Sequence, residues 1–252
     1  MNERESLIDF WGIAPGSTVL EIGCGQGDTT SALAARVGAG GFVHAVDCAG
    51  TDYGAPETLG QARERLLSDF GGRLRMDFDT DILAPEFSPR ADGYDYAVLS
   101  HCSWYLKNFD ELVQILARVR GWARTLCFAE WDLRLTDPCQ MCHYLACHVQ
   151  AVCNVFAPSP LSNVRSLFRY GEISDAIKTA GWAVTNETRL RAPESQDAVW
   201  ERGNALLTCP EQIEAMDAPP SLKRLLLSEL DELRGYRAGE IAPLNVLAIT
   251  GI

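Results

Sequence analysis

The stretch VLEIGCGQGD, residues 19–28, decides how this chain folds. It begins with an apolar run typical of a buried strand and continues into three glycines, Gly23, Gly25 and Gly27. Glycine lets a ligand approach the backbone closely, and a buried strand followed by a glycine turn and a helix forms the ligand-binding corner of many α/β sheets. The stretch therefore predicts a parallel sheet that binds a ligand beyond the end of its first strand.

An acidic residue stands at the end of the second predicted strand. Residues 42–46 read FVHAV, and Asp47 follows them directly. The ends of neighbouring parallel strands meet at one edge of the sheet, where a carboxylate can accept hydrogen bonds from both hydroxyls of a ribose. Asp28 occupies the place of the third glycine of a dinucleotide-binding turn, where its charge would repel a pyrophosphate. The pattern indicates a nucleoside-containing ligand and argues against a dinucleotide.

Strands and helices alternate along the rest of the chain, as in a doubly wound α/β sheet that is covered on both faces. Further strands are predicted at residues 74–78, 94–99, 125–129, 182–190 and 244–249. Helices are predicted at residues 28–37 and 172–180, and after Asn108, which begins a capping box with Glu111. We expect one domain over residues 1–252, with its core in about residues 1–135 and 171–252 and with helical insertions at about residues 136–170 and 198–235.

Residues 21–27, EIGCGQG, resemble the first motif of the class I, Rossmann-like S-adenosylmethionine-dependent methyltransferases. The resemblance covers about residues 1–130, and the later helix and strands agree with the seven-stranded order of that family, in which the last strand is antiparallel. It implies a mostly parallel sheet with helical insertions over the active site. It also implies S-adenosylmethionine as the cofactor, S-adenosylhomocysteine as its product, and transfer of the methyl group to an acceptor by in-line displacement.

The resemblance further implies which positions contact the cofactor. They lie around the glycine turn and after the first strands: Glu21, Gly23, Cys24, Gly25, Gln26, Asp47, Cys48, Tyr53, Asp81, Ile82, Ser100 and His101. Among them, Asp47 matches the acid that holds the ribose. Asp81 and Ile82 look like the pair that meets the adenine amino group and ring, although Asp79 lies close enough to exchange roles with Asp81. The ring of Tyr53 would either cover the adenosine or pack on the surface.

Three side chains are candidates for contact with the methyl acceptor. A sulfonium methyl group is already activated, so positioning supplies much of the acceleration and only some acceptors need a general base. His101 follows the fourth strand at the ligand edge, and an unperturbed imidazole suits proton removal near neutrality. Glu130 follows the fifth strand at the same edge, and His143 lies on the first inserted helix. A purely structural role stays open for each of them.

Charge and cysteine content indicate where the protein works. The chain has a net charge of −12 and a sequence pI of about 4.8, so a nucleic acid or an anionic membrane surface would be repelled. Residues 1–10 lack the apolar core of a signal peptide, and no apolar run approaches membrane-spanning length. Nine cysteines fit a reducing compartment. We expect a cytoplasmic protein with a small-molecule partner, and the sequence does not indicate an oligomeric state.

The chemistry of the acceptor stays open on sequence alone. Aromatic side chains in the two insertions favour an apolar or aromatic metabolite, while oxygen, nitrogen and carbon acceptors all fit. The cysteines and histidines within residues 139–153 recur at helical spacing, which favours a buried stripe over a metal site. Two functions compete with methyl transfer: noncatalytic binding of S-adenosylmethionine or S-adenosylhomocysteine, and an NAD(P)-dependent dehydrogenase.

Overall fold

The computed structural model of the chain describes residues 2–157 and 162–252. Within them, one seven-stranded sheet has the order β3-β2-β1-β4-β5-β7-β6. Its strands are β1 (Thr18–Ile22), β2 (Phe42–Val46), β3 (Leu74–Asp77), β4 (Tyr94–Ser100), β5 (Ala123–Asp132), β6 (Val184–Leu190) and β7 (Asn245–Gly251). Strands β1 to β5 pair in parallel, and β7 runs antiparallel between β5 and β6. The predicted doubly wound sheet with an antiparallel last strand is confirmed.

Helices pack on both faces of this sheet. Those that the structure describes are α1 (Glu3–Trp11), α2 (Asp28–Val37), α3 (Leu59–Phe70), α4 (Phe109–Arg120), α5 (Met141–Phe156), α6 (Tyr170–Thr179), α7 (Asp197–Ala215) and α8 (Pro220–Gly235). Helices α1 and α3 were not predicted. Each begins with a capping box, at Asn2 with Glu5 and at Thr58 with Gln61, which is the sequence signal that would have located them.

Strand β5 is longer than the predicted 125–129, because it continues through Glu130, Trp131 and Asp132 along β7. These residues are almost fully buried, and buried carboxylates are tolerated only where donors satisfy them. Asp132 accepts hydrogen bonds from Arg134 and pairs with Arg189 at 2.7 Å. The extension carries Glu130 and Trp131 past the predicted end of the strand and into the ligand edge of the sheet.

The second predicted helical insertion, 198–235, contains two helices, α7 and α8. Together with α5 they enclose a second hydrophobic cluster, separate from the one around the sheet; its fully buried members include Cys142, Ala146, Cys153, Cys209, Leu226 and Leu230. The opposite side of α5 contributes Cys147 and Ala151 to the main core. Helix α5 is therefore buried on two sides. Residues 158–161 of the first predicted insertion, 136–170, lie outside the described residues.

In the described part of the chain, the longest apolar helical segments fall short of what a bilayer crossing requires.

Candidate active site

The glycine turn after β1 is packed on one side and open on the other. All three glycines have positive φ angles, 72° at Gly23, 52° at Gly25 and 82° at Gly27, a region that other residues enter at a cost. A Cβ atom at Gly23 would lie 2.5 Å from the Cβ atom of Cys102, whereas one at Gly25 would meet no atom within 4 Å. The backbone at Gly25 therefore faces free space at the carboxyl edge of the sheet.

Asp47 holds this turn against the loop that follows β2. Its Oδ2 accepts a hydrogen bond from the backbone N–H of Gly25 at 2.8 Å, and its Oδ1 accepts one from Ala49 at 2.9 Å. The side chain is partly exposed, and each carboxylate oxygen keeps a further lone pair. Asp47 can therefore organise the turn and still accept hydrogen bonds from the hydroxyls of a ribose.

Glu21, Cys24 and Gln26 support the turn from within. The Glu21 carboxyl is buried and accepts a hydrogen bond from the Thr30 hydroxyl at 2.6 Å. Burial raises the pKa of Glu21 to about 8, and the nearby charge of Asp47 adds to the shift. Cys24 is buried, and the side-chain amide of Gln26 donates to the backbone carbonyl of Glu57. Their side chains thus pack beneath and beside the turn.

The predicted adenine-side residues follow β3. Ile82 is buried at the sheet edge, while the exposed Asp81 accepts a hydrogen bond from the Leu83 N–H at 2.8 Å. Asp79 has a φ of 52°, and its N–H donates to the Ala49 carbonyl. Both aspartates thus remain at the edge, and the choice between them stays a prediction.

The loop after β2 reaches across the ligand edge. Cys48 is exposed there as a free thiol. The Tyr53 hydroxyl donates to the Asn163 side chain at 2.7 Å, although half of the tyrosine is exposed. This contact joins the loop to the segment that precedes α6. The position is compatible with a ring that covers a nucleoside.

His101 lies between two carboxylates. Its Nε2 is 2.6 Å from Oε1 of Glu3 on α1, and its Nδ1 is 3.6 Å from Oε1 of Glu130 on β5. Burial alone would lower the pKa of His101, but the two carboxylates outweigh it and raise the pKa to about 10. The imidazole is therefore a cation at neutral pH. Ser100, just before it, is buried, and its hydroxyl has no partner among the described residues.

Glu130 organises the turn that follows β4. Its Oε2 accepts hydrogen bonds from the Ser103 N–H and hydroxyl and from the Trp104 N–H, at 2.7 to 3.2 Å. Its Oε1 accepts the Trp131 N–H at 2.9 Å. Four donors thus hold a carboxylate that is only 1% exposed, which fixes its distance from His101. This geometry favours a positioning role over direct attack on a proton of the acceptor.

His143 is fully buried and neutral. Its Nδ1 accepts the backbone N–H of Leu244 at 3.1 Å, so the ring proton must be on Nε2. Burial lowers the pKa of His143 to about 3, and the charge of His101 lowers it further. The Trp131 ring lies between the two histidines, with ring centroids 4.5 Å from His101 and 5.1 Å from His143. The Nε2–H of His143 has no partner among the described residues.

One small cavity collects the three candidate side chains. His101, Glu130 and His143 all line it. Its other polar walls are Tyr105 on the turn after β4 and Asp197 and Glu201 on α7. Sequence reasoning missed these three and Glu3. The two acids of α7 could have been predicted from the sequence, because the segment DAVWE places them one helical turn apart on a predicted helix.

The edge of the sheet fits a nucleoside-bearing cofactor. The backbone at Gly25 is open, the Asp47 carboxylate is partly exposed, and the buried Ser100 hydroxyl lacks a partner among the described residues. Ile82 provides an apolar surface at the same edge. These are the contacts that a ribose, an amino acid moiety and a base require.

No family model matches the chain. Two curated proteins of Diaporthe leptostromiformis, methyltransferase phomM' and methyltransferase phomM, are each 28% identical to it over 67% of its residues, and the chain spans 54% of their length. The crystal structure of a cyclopropane-fatty-acyl-phospholipid synthase-like protein from Lactobacillus casei superposes with a TM-score of 0.87 at 28% identity, over 98% of this chain and 88% of that one. An S-adenosylmethionine-dependent methyltransferase from Aquifex aeolicus shares the fold, with a TM-score of 0.52 at 17% identity over 77% and 85% of the two chains.

The sheet order, the open glycine turn with its acid, and these similarities agree with one another. The chain is similar to curated methyltransferases in sequence and to the class I S-adenosylmethionine-dependent methyltransferases in fold, which confirms the resemblance noted in the sequence. These similarities favour methyl transfer over the dehydrogenase alternative. The chain spans only about half of its curated relatives' length.

Proposed function

We propose that this chain transfers the methyl group of S-adenosylmethionine to a small molecule held in the cavity beside His101. The observation that supports this most is one short segment that borders both sites. Cys102 packs against Gly23 of the glycine turn, and its thiol donates to the Ile22 carbonyl at 3.2 Å. One residue earlier, His101 lines the cavity. A ligand on the turn and a ligand in the cavity would therefore be neighbours.

The residues of the chain would act mainly by positioning. When bound, S-adenosylmethionine supplies an electrophilic methyl group, whose bond to sulfur breaks with its electron pair left on sulfur. The backbone at Gly25 and the carboxylate of Asp47 hold the cofactor, while the aromatic walls of the cavity exclude water from the acceptor. Holding two reactants in line provides much of the rate acceleration.

The proposed roles of the two histidines follow from their protonation. His101 holds its proton at neutral pH because its pKa is raised to about 10, so we assign it the positioning of Glu3 and Glu130 rather than proton removal. His143 is neutral, and its Nδ1 is occupied by the Leu244 N–H, so it acts as a donor through Nε2. Glu130 fixes His101 and the turn at Trp104. Any general base would come from the remaining carboxylates of the cavity.

The cellular location and the type of substrate are inferred from the charge of the protein. We propose that it acts in the cytosol on a small molecule and not on nucleic acid. A net charge of −12 supports this, because a polyanion would be repelled over most of the surface. Nine cysteines, all of them free thiols in the structure, are compatible with a reducing compartment.

Two measurements on the purified protein test the proposed activity. Calorimetry should find S-adenosylhomocysteine binding in a single site. Incubation with S-adenosylmethionine and a panel of small acceptors should release S-adenosylhomocysteine at a rate that depends on the acceptor. Binding without turnover across the panel would favour the noncatalytic alternative. If neither sulfur compound binds, the proposed function is wrong.

A further inference from the structure

The cavity beside His101 has an unusual pair of acids. Asp197 and Glu201 are one turn apart on α7, and both line it. Oε2 of Glu201 accepts the Gln150 amide at 2.7 Å. The carboxylate of Asp197, in contrast, receives no hydrogen bond and no ion pair from the residues that the structure describes. Burial raises the pKa of both carboxyls, because their ionised forms lack compensation there.

The charged residues near Asp197 and Glu201 do not neutralise these two acids. His101 is the cation among the cavity-lining residues, and it already lies between Glu3 at 2.6 Å and Glu130 at 3.6 Å. Arg4 lies 4.0 Å from Glu3 and 3.5 Å from Asp28, with the latter on the outer side of the molecule. The imidazolium is therefore already shared by Glu3 and Glu130, and a second cation placed in the cavity would relieve the repulsion between Asp197 and Glu201.

The remaining walls also suit a charged organic ligand. Trp104, Tyr105 and Trp131 line the cavity, and aromatic faces attract cations. Two buried neutral donors lack a partner among the described residues: the indole Nε1–H of Trp104, which is 3% exposed, and the Nε2–H of His143, which is 0% exposed. The Nδ1–H of His101 also lacks a hydrogen bond there, since Glu130 lies 3.6 Å away. Buried donors are normally hydrogen-bonded. The two neutral donors are independent of the acids, and they require a ligand atom that accepts hydrogen bonds.

We propose that the methyl acceptor of this cavity is a small organic amine that enters as an ammonium ion between Asp197 and Glu201 and carries a neutral oxygen toward Trp104 and His143. The inference rests on the proposed function, because it takes this cavity as the acceptor site. It replaces the earlier expectation of a merely apolar or aromatic metabolite. A neutral oxygen fits better than a carboxylate, which would add a negative charge to those already present.

Methylation then needs one proton transfer before the methyl step. The ammonium group gives a proton to the carboxylate of Glu201 or Asp197, which leaves a neutral amine with a free lone pair. That lone pair forms the new bond between nitrogen and the methyl carbon, and the product leaves as a methylated ammonium ion. The protonated carboxyl returns its proton to solvent, so each turnover releases one proton overall. Carboxyls with a raised pKa are suited to this exchange.

Matched pairs of probes separate charge from shape. The cation and neutral isostere are ethanolamine and ethylene glycol in one pair, and benzylamine and benzyl alcohol in the other. Ligand-observed NMR should measure their affinities for the 252-residue chain with and without S-adenosylhomocysteine. We expect each amine to bind about tenfold more tightly than its alcohol, which corresponds to one buried charge contact or one cation–π contact.

The double variant Asp197→Asn, Glu201→Gln removes both charges and keeps the side-chain shapes. It should reduce the preference for the amine to less than about threefold, the range of a solvent-exposed contact, without changing the affinity for S-adenosylhomocysteine. Glu211→Gln, an exposed acid on the same helix, should leave the preference intact.

The outcomes also separate this inference from the proposed function. Equal binding of amine and alcohol, no binding of either amine, or an undiminished preference in the double variant would each overturn the amine proposal. Loss of S-adenosylhomocysteine binding would overturn the proposed function instead, and the preference of the unloaded protein would still decide whether the cavity recognises ammonium ions.

Discussion

The glycine turn and the cavity beside His101 are neighbours built in opposite ways. The turn is built from residues close in sequence and mainly from backbone atoms. Gly23, Gly25 and Gly27 have positive φ angles, and the carboxylate of Asp47 accepts a hydrogen bond from the N–H of Gly25. The cavity uses side chains from the turn after β4, β5, α5, the segment before α6, and α7. One region thus depends on local conformation, and the other depends on the tertiary packing of five separate segments. Substitutions in the turn and substitutions in the cavity should therefore affect different properties of the protein.

The largest effect is expected from Gly23→Ala. The new methyl group would lie 2.5 Å from the Cβ atom of Cys102 at a φ of +72°, so steric overlap and backbone strain should together reduce the free energy of unfolding by about 2–4 kcal/mol. Binding of S-adenosylhomocysteine should be lost with it. Urea unfolding and calorimetry measure both quantities.

Gly171→Ala is the matched control for that variant, because a Cβ atom at this helical position meets nothing within 4 Å. It should be neutral or should stabilise the protein by up to about 1 kcal/mol. Equal stability of the two alanine variants would show that the turn is not closely packed.

Asp47→Ala should weaken cofactor binding by about 1.5–3 kcal/mol, the value of hydrogen bonds to a charged group. Part of this loss comes from freeing the N–H groups of Gly25 and Ala49, so Asp47→Asn, which keeps one acceptor oxygen, should lose less. Calorimetry with S-adenosylhomocysteine distinguishes the two. Asp69→Ala, an exposed acid on α3, serves as the charge control, and an unchanged affinity in Asp47→Ala would remove this residue from the site.

His101→Ala should affect the cavity more than the turn. It leaves Glu3 and Glu130 without their shared cation, and misplacement of an acceptor typically costs about tenfold to a hundredfold in turnover. Affinity for S-adenosylhomocysteine should change much less. Steady-state kinetics with an active acceptor and calorimetry provide the comparison. His148→Ala, on α5 beside Glu229 of α8, is the control, and equal turnover in both variants would contradict a role for His101.

The smallest expected effect is a pH dependence of stability. The pKa of His101 is raised to about 10 from an unfolded value near 6.5, so its stabilising contribution is complete below pH 6.5 and is lost as the pH rises through 10. The titratable groups that face it are Glu3, Glu130, Asp197 and His143. The difference in free energy of unfolding between wild type and His101→Gln should therefore shrink from pH 6 to pH 9.5. A constant difference in urea titrations would argue against the imidazolium.

The sequence predicted the sheet and the turn because their determinants are local. Apolar runs, glycines and Asp47 each act through their own backbone neighbourhood, and β2 and α2 have the predicted bounds. The cavity was predicted only in part: His101, Glu130 and His143 do meet there. The protonation states of the two histidines could not be read, because they are set by carboxylates distant in sequence, by burial and, for His143, by the Leu244 N–H. For the same reason Glu3, Asp197 and Glu201 were missed.

Helix α5 has one further consequence for how this protein could change. One of its faces carries His143 and Cys147 to the cavity, and the other is packed into the cluster formed with α7 and α8. A repacking of that cluster would move the α5 wall of the cavity while leaving the glycine turn in place. Substitutions at apolar positions of this cluster, which contact no reactant, should therefore change which substrates the cavity accepts.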